Sequence, residues 1–472
     1  MLDLNGKRVG IVGLQKSGIG AANLCVKYGA AVTVFDRKNE EELAETAASL
    51  PEGVTLKAAA EPEITDAKEF DLLVISPAVP QDAAYVIAAK AQNIPVISEI
   101  ELAYHFCKAP MIGVTGTNGK TTTTSLIEAI LKEENPASVA AGNIGLAFSE
   151  VCETVPEEAR IVLELSSFQL EAIDEFHPQV ATILNLTPDH LNRHHTFENY
   201  VAAKCRIFEN QSLSDVTVFN FDDVLCRAIG QKLMLRHDAP RVLFFTREPL
   251  ESALKQYPEF EGMYLDGNDF VYRTYTAGSN PCEVIAHVDE MQIFGAHNEE
   301  NAMAAILCCL AAGVSKEAIV SGLKKFPGVE HRIEPVGVVD GVSYYNDSKA
   351  TNPDAAIKGL LAMKSEKTVL IGGGYDKGTP YEEWCRLFNG RVRKLVLLGQ
   401  TEQDIRACAI KEGFPEEDIL HADSLKEAVE LCRQEAHPGD SVLLSPACAS
   451  WGMFKSYEQR GDMFRDFVKE MI

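Results

Sequence analysis

The stretch GVTGTNGKTTTT, residues 113–124, decides the fold class, because it places a strand, a glycine turn and a helix in the order of a phosphate-binding loop. The apolar residues 111–114 predict the strand, residues 116–119 the turn and residues 121–131 the helix. The usual pattern has a glycine five residues before the Gly-Lys pair, where this chain has Val114. A nucleotide site is the favoured interpretation, and a plain helix start is the alternative.

Each polar group of this stretch has a use in binding a nucleotide. Backbone amides of residues 117–120 can point at phosphate oxygens, and the Lys120 ammonium can reach the phosphoryl group in transfer. The Thr121 hydroxyl can coordinate Mg²⁺. The sequence therefore predicts a site for ATP.

Composition limits the classes of protein to consider. A chain of 472 residues, 46% hydrophobic and 24% charged, predicts about three globular domains. The net charge of -25 excludes a nucleic acid partner held by bulk electrostatics. The 12 cysteines lack zinc-site spacing, which predicts reduced thiols in a cytosolic protein. Neither a signal peptide nor a membrane span is expected.

Working outward from the loop, apolar runs alternate with helical patterns along the whole chain, which predicts an α/β protein. Three domains are expected, each built on a largely parallel sheet, with boundaries at 1–98, 99–327 and 328–472. The predicted strands are residues 8–12, 31–35, 71–76, 111–114, 161–165, 180–185, 216–220, 368–371, 394–398 and 441–444. Further helices are predicted at residues 21–28 and 424–434.

The first strand-to-helix turn carries Gly13, Gly18 and Gly20, and Asp36 ends the second strand. This resembles a dinucleotide fingerprint, but Gln15 stands where G-x-G-x-x-G needs its second glycine. NAD or FAD binding is therefore disfavoured. Two interpretations remain open, namely a tight turn that packs a helix on the sheet, and a site for a nucleotide-sugar diphosphate at the helix N-terminus.

Three ionisable residues lie near predicted strand ends. Glu164 ends an apolar strand, where a carboxylate is costly unless it binds metal or pairs with a cation; a Mg²⁺ ligand is favoured. For His190, spacing alone favours a structural role. For Lys204, residue type and position alone favour a solvated charge on a helix face.

Several motifs together resemble one family. They are GVTGTNGKTT, GNIG at 142–145, LELSSFQLE, LNLTPDHLNRH, HNEENAMAA, EHRIE and NDSKATNPDA, in this order over nearly the whole chain. These motifs identify the chain as similar to the Mur ligases, which are ATP-dependent amide-forming enzymes of bacterial cell-wall precursor synthesis. That resemblance implies a Rossmann-like N-terminal domain, a P-loop ATPase-like central domain and a Rossmann-like C-terminal domain.

The C-terminal motifs NDSKATN, GGGYDKG and LLSPACASWGMFKSYEQRG resemble the branch of the family that adds D-glutamate to UDP-N-acetylmuramoyl-L-alanine. In that chemistry the substrate carboxylate attacks the γ-phosphate of ATP, and the amine of D-glutamate displaces phosphate from the acyl phosphate. The resemblance implies a monomer in the bacterial cytoplasm that acts on these three small molecules. A folylpolyglutamate synthetase, a non-catalytic ATP switch and a dinucleotide oxidoreductase are the alternatives.

The resemblance also implies roles for individual residues. Catalysis would rest on Lys120, Glu164, His190 and Lys204. Two Mg²⁺ ions would be held by Thr121, Glu164, His190 and a carbamylated Lys204. ATP would contact Gly116, Thr117, Asn118, Gly119, Lys120, Thr121, Thr122, Asn298, Asn301, Arg332, Asp347 and Lys349. The UDP-substrate would contact Leu14, Gln15, Lys16, Ser17, Asp36, Arg37, Ser76, Pro77, Asn143, Ser166, Gln169 and His190. D-glutamate would contact Thr351, Lys377, Ser450 and Tyr457.

Overall fold

A computed structural model describes residues 2–64, 69–275, 279–376 and 378–471. The described strands form three mostly parallel sheets, so the α/β class and the three-domain fold are confirmed. The chain divides into two compact units: residues 1–292 with 299–326, which hold the first two sheets, and residues 293–298 with 327–472, which hold the third.

The first sheet is wholly parallel, with strand order β3-β2-β1-β4-β5. Its strands are β1 (Arg8–Val12), β2 (Ala31–Phe35), β3 (Thr55–Lys57), β4 (Leu72–Ile75) and β5 (Val96–Ser98). Its helices are α1 (Lys16–Lys27), α2 (Glu40–Ala47), α3 (Ala84–Ala91) and α4 (Glu99–Tyr104). The chain reverses direction across the sheet between β1 and β4, which is where ligands bind in open α/β sheets.

The second sheet has the order β14-β13-β12-β11-β10-β9-β6-β8-β7 and is parallel as far as β12. Its strands are β6 (Met111–Thr115), β7 (Val139–Gly142), β8 (Ile161–Glu164), β9 (Val180–Ile183), β10 (Val216–Asn220), β11 (Arg241–Thr246), β12 (Gly262–Asp266), β13 (Asp269–Arg273) and β14 (Cys282–His287). Its helices are α5 (Lys120–Glu134), α6 (Phe148–Val151), α7 (Ser167–Leu170), α8 (Leu191–His194), α9 (Phe197–Cys205), α10 (Val224–Leu233), α11 (Leu250–Gln256), α12 (Ala296–Ala311) and α13 (Lys316–Lys325).

The third sheet has the order β15-β16-β20-β17-β18-β19, and only the β15–β16 pair is antiparallel. Its strands are β15 (Glu334–Val339), β16 (Val342–Asn346), β17 (Thr368–Gly372), β18 (Val392–Leu397), β19 (Ile419–His421) and β20 (Ser441–Leu444). Its helices are α14 (Pro353–Ala362), α15 (Glu382–Arg386), α16 (Glu402–Lys411), α17 (Leu425–Glu435) and α18 (Tyr457–Lys469).

Helix α1 begins at Lys16, five residues before its predicted start. Gly18 and Gly20 therefore lie inside the helix and not in the turn before it. A Cβ at Gly18 would collide with the carbonyl oxygen of Gly13, and one at Gly20 with the Ser149 hydroxyl. These glycines let the helix approach the strand and a neighbouring helix closely, which is the close-packing interpretation of this turn.

The first two sheets share one hydrophobic core, which runs from Val9 and Ile97 through Leu163 to Phe244. Helix α4 connects them, and the buried Glu101 carboxylate on it accepts hydrogen bonds from the backbone N–H groups of residues 174–176. In the described part of the chain, no helix is both long and apolar enough to span a lipid bilayer.

Candidate active site

The predicted phosphate loop lies between β6 and α5, as its sequence indicates. Gly116 has a φ of 150° and Gly119, the N-cap residue of α5, has a φ of 85°, which is a left-handed backbone that favours glycine. A Cβ at Gly119 would also collide with the side-chain oxygen of Asn301, a predicted ATP contact on α12. The loop thus presents backbone at the N-terminus of a helix, the arrangement that binds phosphate.

Residues that follow β9 hold this loop in place. Asn118 and Asn185 exchange two hydrogen bonds, from the Asn118 N–H to Asn185 Oδ1 at 2.8 Å and from Asn185 Nδ2 to the Asn118 carbonyl at 3.0 Å. The Thr117 hydroxyl accepts from the Thr187 N–H and from the Tyr200 hydroxyl, both at 3.0 Å. Sequence reasoning assigned no role to Asn185, Thr187 or Tyr200, although LNLT after a strand end is a detectable signal.

The Lys120 ammonium lies over the loop itself. Its Nζ donates to the carbonyl oxygens of Gly116 at 2.9 Å and Thr117 at 2.8 Å. Thr121 follows it in the first turn of α5, half-buried, and Thr122 is buried. The cation is therefore held at the phosphate loop by carbonyl oxygens of the loop itself.

Glu164 is the last residue of β8 and is only 3% exposed. Its Oε1 accepts from Asn143 Nδ2 at 2.8 Å, while its Oε2 is buried with no hydrogen-bond partner in the described structure. Among the described residues no cationic side chain lies within 4.0 Å of it, so the ion-pair alternative is wrong there. A buried carboxylate oxygen without a partner is costly, and a metal ion would satisfy it.

Lys204, on α9, is buried and 2% exposed, so its interpretation as a solvated helix charge is wrong. Its Nζ donates to the Gly116 carbonyl at 2.8 Å and to Thr115 Oγ1 at 3.4 Å, and it lies 4.7 Å from the centre of the Tyr200 ring. Burial lowers the pKa of Lys204 well below its usual 10.5, and the charge of Lys120 lowers it further. The neutral amine is thus favoured, and amine attack on CO₂ requires this form.

His190 precedes α8 with a φ of 52°, an unusual left-handed backbone for a residue with a side chain. Its ring is half-exposed, packs edge-on against Phe168 and lies 3.6 Å from Asp189 Oδ2. Within the described ranges, no three His, Cys, Asp or Glu side chains cluster as metal ligands would. Glu164 and His190 would therefore need the Thr121 hydroxyl and a carbamate on Lys204 to complete a set of ligands.

A cavity of about 250 Å³ opens at the carboxyl ends of β1, β2 and β4. Of the residues predicted to bind the UDP-substrate, it is lined by Gln15, Asp36, Arg37 and Ser76. The Leu14 N–H donates to Asp36 Oδ2 at 2.7 Å, and Arg37 forms an exposed ion pair with Glu61 at 2.5 Å. The cavity therefore lies between β1 and β4, where the strand order of the sheet changes direction.

Other predicted substrate residues of this unit lie in the first turn of α1 and around the start of α7. Lys16 Nζ donates to the Gly145 carbonyl at 3.3 Å, which connects the first turn of α1 to the GNIG loop. Ser166 caps α7 and its hydroxyl donates to Gln169 Oε1 at 3.0 Å. Ser17 and Pro77 are half-buried and do not line the cavity.

In the second unit the carboxyl ends of β16 and β20 bring another set of predicted residues together. Asp347 is fully buried, accepts from the Ser445 hydroxyl at 2.8 Å and lies 3.8 Å from Arg332. Burial raises the pKa of Asp347 to about 6, against the opposing effect of Arg332. The Lys349 ammonium lies 5.5 Å from the centre of the Tyr457 ring.

Three of the four residues predicted to bind D-glutamate lie around the same strand ends. Ser450 is buried, Thr351 is half-buried in the loop after β16, and Tyr457 begins α18. Lys377 lies outside the described residues. Asn298 is buried, and its side chain donates to the Phe294 carbonyl at 2.9 Å.

Comparisons with known proteins agree with this geometry. Residues 7–98 match the N-terminal domain of MurD-like Mur ligases, residues 114–309 the Mur ligase middle domain and residues 331–448 the Mur ligase glutamate ligase domain. Two solved structures share the fold. One is MurC, a UDP-N-acetylmuramate-alanine ligase of Thermotoga maritima, with a TM-score of 0.59 and 17% identity over 99% of this chain and 100% of that one. The other is MurF of the same organism in complex with ADP, with a TM-score of 0.58 and 16% identity over 100% of both chains.

Full-length relatives define the class. A protein of Lachnoclostridium phytofermentans is 42% identical over 98% of both chains, and one of Lachnospira eligens is 43% identical over 100% of both. The chain therefore belongs to the Mur ligase family. Both relatives carry the name UDP-N-acetylmuramoylalanine–D-glutamate ligase.

Proposed function

We propose that this protein is an ATP-dependent amide ligase that adds D-glutamate to UDP-N-acetylmuramoyl-L-alanine through an acyl phosphate. One observation carries the proposal from the site itself: a phosphate loop stands beside the buried Glu164, whose unpartnered oxygen fits a metal ion. A protein that only binds ATP has no need for a second metal site, for which Glu164, His190 and Lys204 are the proposed ligands. The names of the full-length relatives support the choice of D-glutamate as the acceptor.

In this proposal the loop amides and Lys120 hold the ATP phosphates. The substrate carboxylate attacks the γ-phosphorus, the bond to the bridging oxygen of ADP breaks, and Lys120 neutralises charge on the phosphoryl group in transit. To bind the γ-phosphate, the Lys120 ammonium leaves the carbonyl oxygens of Gly116 and Thr117. The neutral amine of D-glutamate then attacks the acyl carbon, the bond from that carbon to the phosphate oxygen breaks, and phosphate and one proton are released.

The proposed Mg²⁺ ligands are Thr121 and Glu164 for one ion, and Glu164, His190 and the carbamate of Lys204 for a second. When bound, these ions would supply positive charge that stabilises the phosphoryl group. The neutral Lys204 amine would add to CO₂ with loss of one proton, and the carbamate oxygen is the hard ligand that Mg²⁺ prefers. We expect electron density for this extension on the Lys204 Nζ in crystals grown with ATP, Mg²⁺ and bicarbonate.

The UDP-substrate is proposed to occupy the cavity at Gln15, Asp36, Arg37 and Ser76, with its muramoyl-alanine end directed to Asn143, Ser166 and Gln169. D-glutamate is assigned to Thr351, Lys377, Ser450 and Tyr457, whose hydroxyls and cation suit two carboxylates. The domains are proposed to span 1–98, 99–327 and 328–472. We assign the protein to the bacterial cytoplasm as a monomer.

Phosphate release measured with ATP, Mg²⁺ and UDP-N-acetylmuramoyl-L-alanine tests the proposal directly. D-glutamate, L-glutamate and L-alanine are added in parallel, and only D-glutamate should support turnover. Omission of the UDP-substrate is the control for an ATPase. Turnover with L-alanine but not D-glutamate would assign the protein to another reaction of the family.

A further inference from the structure

Arg460, at the end of the first turn of α18, carries a guanidinium buried within the second unit. Its side chain is among the largest that are fully buried in the described structure, at 2% exposure. No carboxylate among the described residues lies within 4.0 Å of it. Burial lowers its pKa to about 10. Burying a cation is expensive, and the guanidinium is compensated by its hydrogen bonds and by the attraction of the buried Asp347 carboxylate.

Those hydrogen bonds reach two different loops. Nε donates to the Ser348 hydroxyl at 2.9 Å and Nη2 to the Ser348 carbonyl at 2.7 Å, while Nη1 donates to the Cys448 carbonyl at 3.2 Å. The Ser348 hydroxyl in turn donates to the Tyr457 carbonyl at 2.8 Å. One planar fork thus fixes loop 346–352, loop 445–450 and the first residue of α18 relative to one another.

Each residue bonded in this way is itself assigned to a substrate or lies within two positions of one that is. Ser348 lies between Asp347 and Lys349, and Cys448 is two residues before Ser450. We infer that Arg460 is a positioning residue that sets the geometry of both the ATP-contacting and the amino-acid-contacting loops of the second unit. This inference rests on the proposed function for the identity of the substrates, but not for the loops that Arg460 joins.

Arg460→Ala should lower kcat/KM for ATP and for D-glutamate by roughly 10- to 100-fold, because small displacements of positioning groups have effects of that size. The KM for the UDP-substrate should stay within about twofold, since that substrate is assigned to the other unit. Arg460→Lys keeps the charge but not the planar fork, and it should show the same pattern, which keeps the test usable if the alanine variant is unstable. Guanidinium at sub-denaturing concentration should partly restore the alanine variant.

The matched control is Arg393→Ala, which removes a partly buried arginine from the start of β18, at the amino-terminal ends of the strands of the same sheet. Arg393 bonds Asp440 through two contacts of 2.6 and 3.1 Å, before β20 begins. It should cost stability and leave all three KM values unchanged. If Arg460 were only structural, its variants would behave as Arg393→Ala does, and this result would overturn the inference.

Amide hydrogen exchange separates this inference from the proposed function, since it requires no turnover. In Arg460→Ala, residues 346–352 and 445–450 should exchange at least about tenfold faster, whereas Arg393→Ala should leave both loops protected. Faster exchange in a protein that shows no D-glutamate-dependent phosphate release would refute the proposed function alone. Unchanged exchange in both loops would refute the positioning role.

Discussion

Substituting Lys204 by methionine should change how the stability of the protein depends on pH. Lys204 has its pKa lowered by burial and by Lys120, so the folded protein holds this amine neutral at pH values where the unfolded chain holds it charged. The unfolded state therefore binds one more proton over the interval between the folded pKa and 10.5. Stability must rise with pH across that interval.

The size of the effect follows from the linkage relation. One proton of difference corresponds to a slope of about 1.4 kcal/mol of unfolding free energy per pH unit. Methionine has a similar length and does not titrate, so its packing effect and the lost hydrogen bonds to Gly116 and Thr115 add only a constant. The free energy of the wild type minus that of Lys204→Met should thus increase by about 1.4 kcal/mol per pH unit and level off above the usual lysine pKa.

Urea unfolding of the two proteins at a series of pH values from neutral to about pH 10 measures this difference. Buffers are purged of CO₂, because a carbamate would remove the titrating amine. The matched control is Lys132→Met, on the exposed side of α5, where Lys132 pairs with Glu128. A difference in unfolding free energy that does not vary with pH would show that Lys204 is charged in the folded protein. This result would contradict carbamylation of Lys204, which requires the neutral amine.

Three further predictions concern the two units. Lys120→Ala should reduce turnover by several orders of magnitude in a folded protein, and near-normal phosphate release would refute the phosphate-loop assignment. Ser450→Ala and Lys377→Ala should raise the KM for D-glutamate far more than that for ATP. An equal effect on both KM values would show that these residues are wrongly assigned to the D-glutamate pocket. The folded pKa of Asp347, about 6, exceeds the usual 3.8, so the folded state binds more protons between these values. As the pH rises from about 4 to about 6, the wild type should therefore lose up to about 3 kcal/mol of unfolding free energy relative to Asp347→Asn. Urea unfolding that shows a constant difference between the two proteins would contradict the effect of burial.

Continuous apolar runs bounded by turn residues made it possible to predict β1, β2, β4, β6, β8, β9, β10, β17, β18 and β20. β1, β2, β10 and β20 have their predicted bounds. The prediction missed β3, β5, β7, β11, β12, β13, β14, β15, β16 and β19. Three of them, β3, β5 and β19, have only three residues, and β14 is half-exposed, so each carries a weak signal. β11 is a buried apolar run and was missed although its signal is strong. The early start of α1 could not be predicted, because Gly18 and Gly20 are poor helix formers that tertiary packing holds in the helix.

In the candidate site, too, some residues could be predicted from the sequence and others could not. The phosphate loop has a local signal, since glycine, lysine and threonine at fixed spacing are each required by the geometry. Lys204 has none, because its burial arises from packing α9 against the loop some 88 residues earlier in the chain. Only the resemblance to a family placed it in the site. Arg460 is similar, since a lone arginine in a polar helix start indicates a surface position until the folded loops enclose it.

The reciprocal bonds between Asn118 and Asn185 have a consequence for the thermodynamics of nucleotide binding. Since these bonds within the protein fix the loop backbone, its conformational entropy is lost when the protein folds and not when ATP arrives. Calorimetry should therefore show little ordering entropy from this loop on binding ADP, and breaking the pair with Asn185→Ala should make binding entropically less favourable. A rigid cradle of this kind leaves the Lys120 side chain, and not the loop backbone, as the group that rearranges to contact a phosphate.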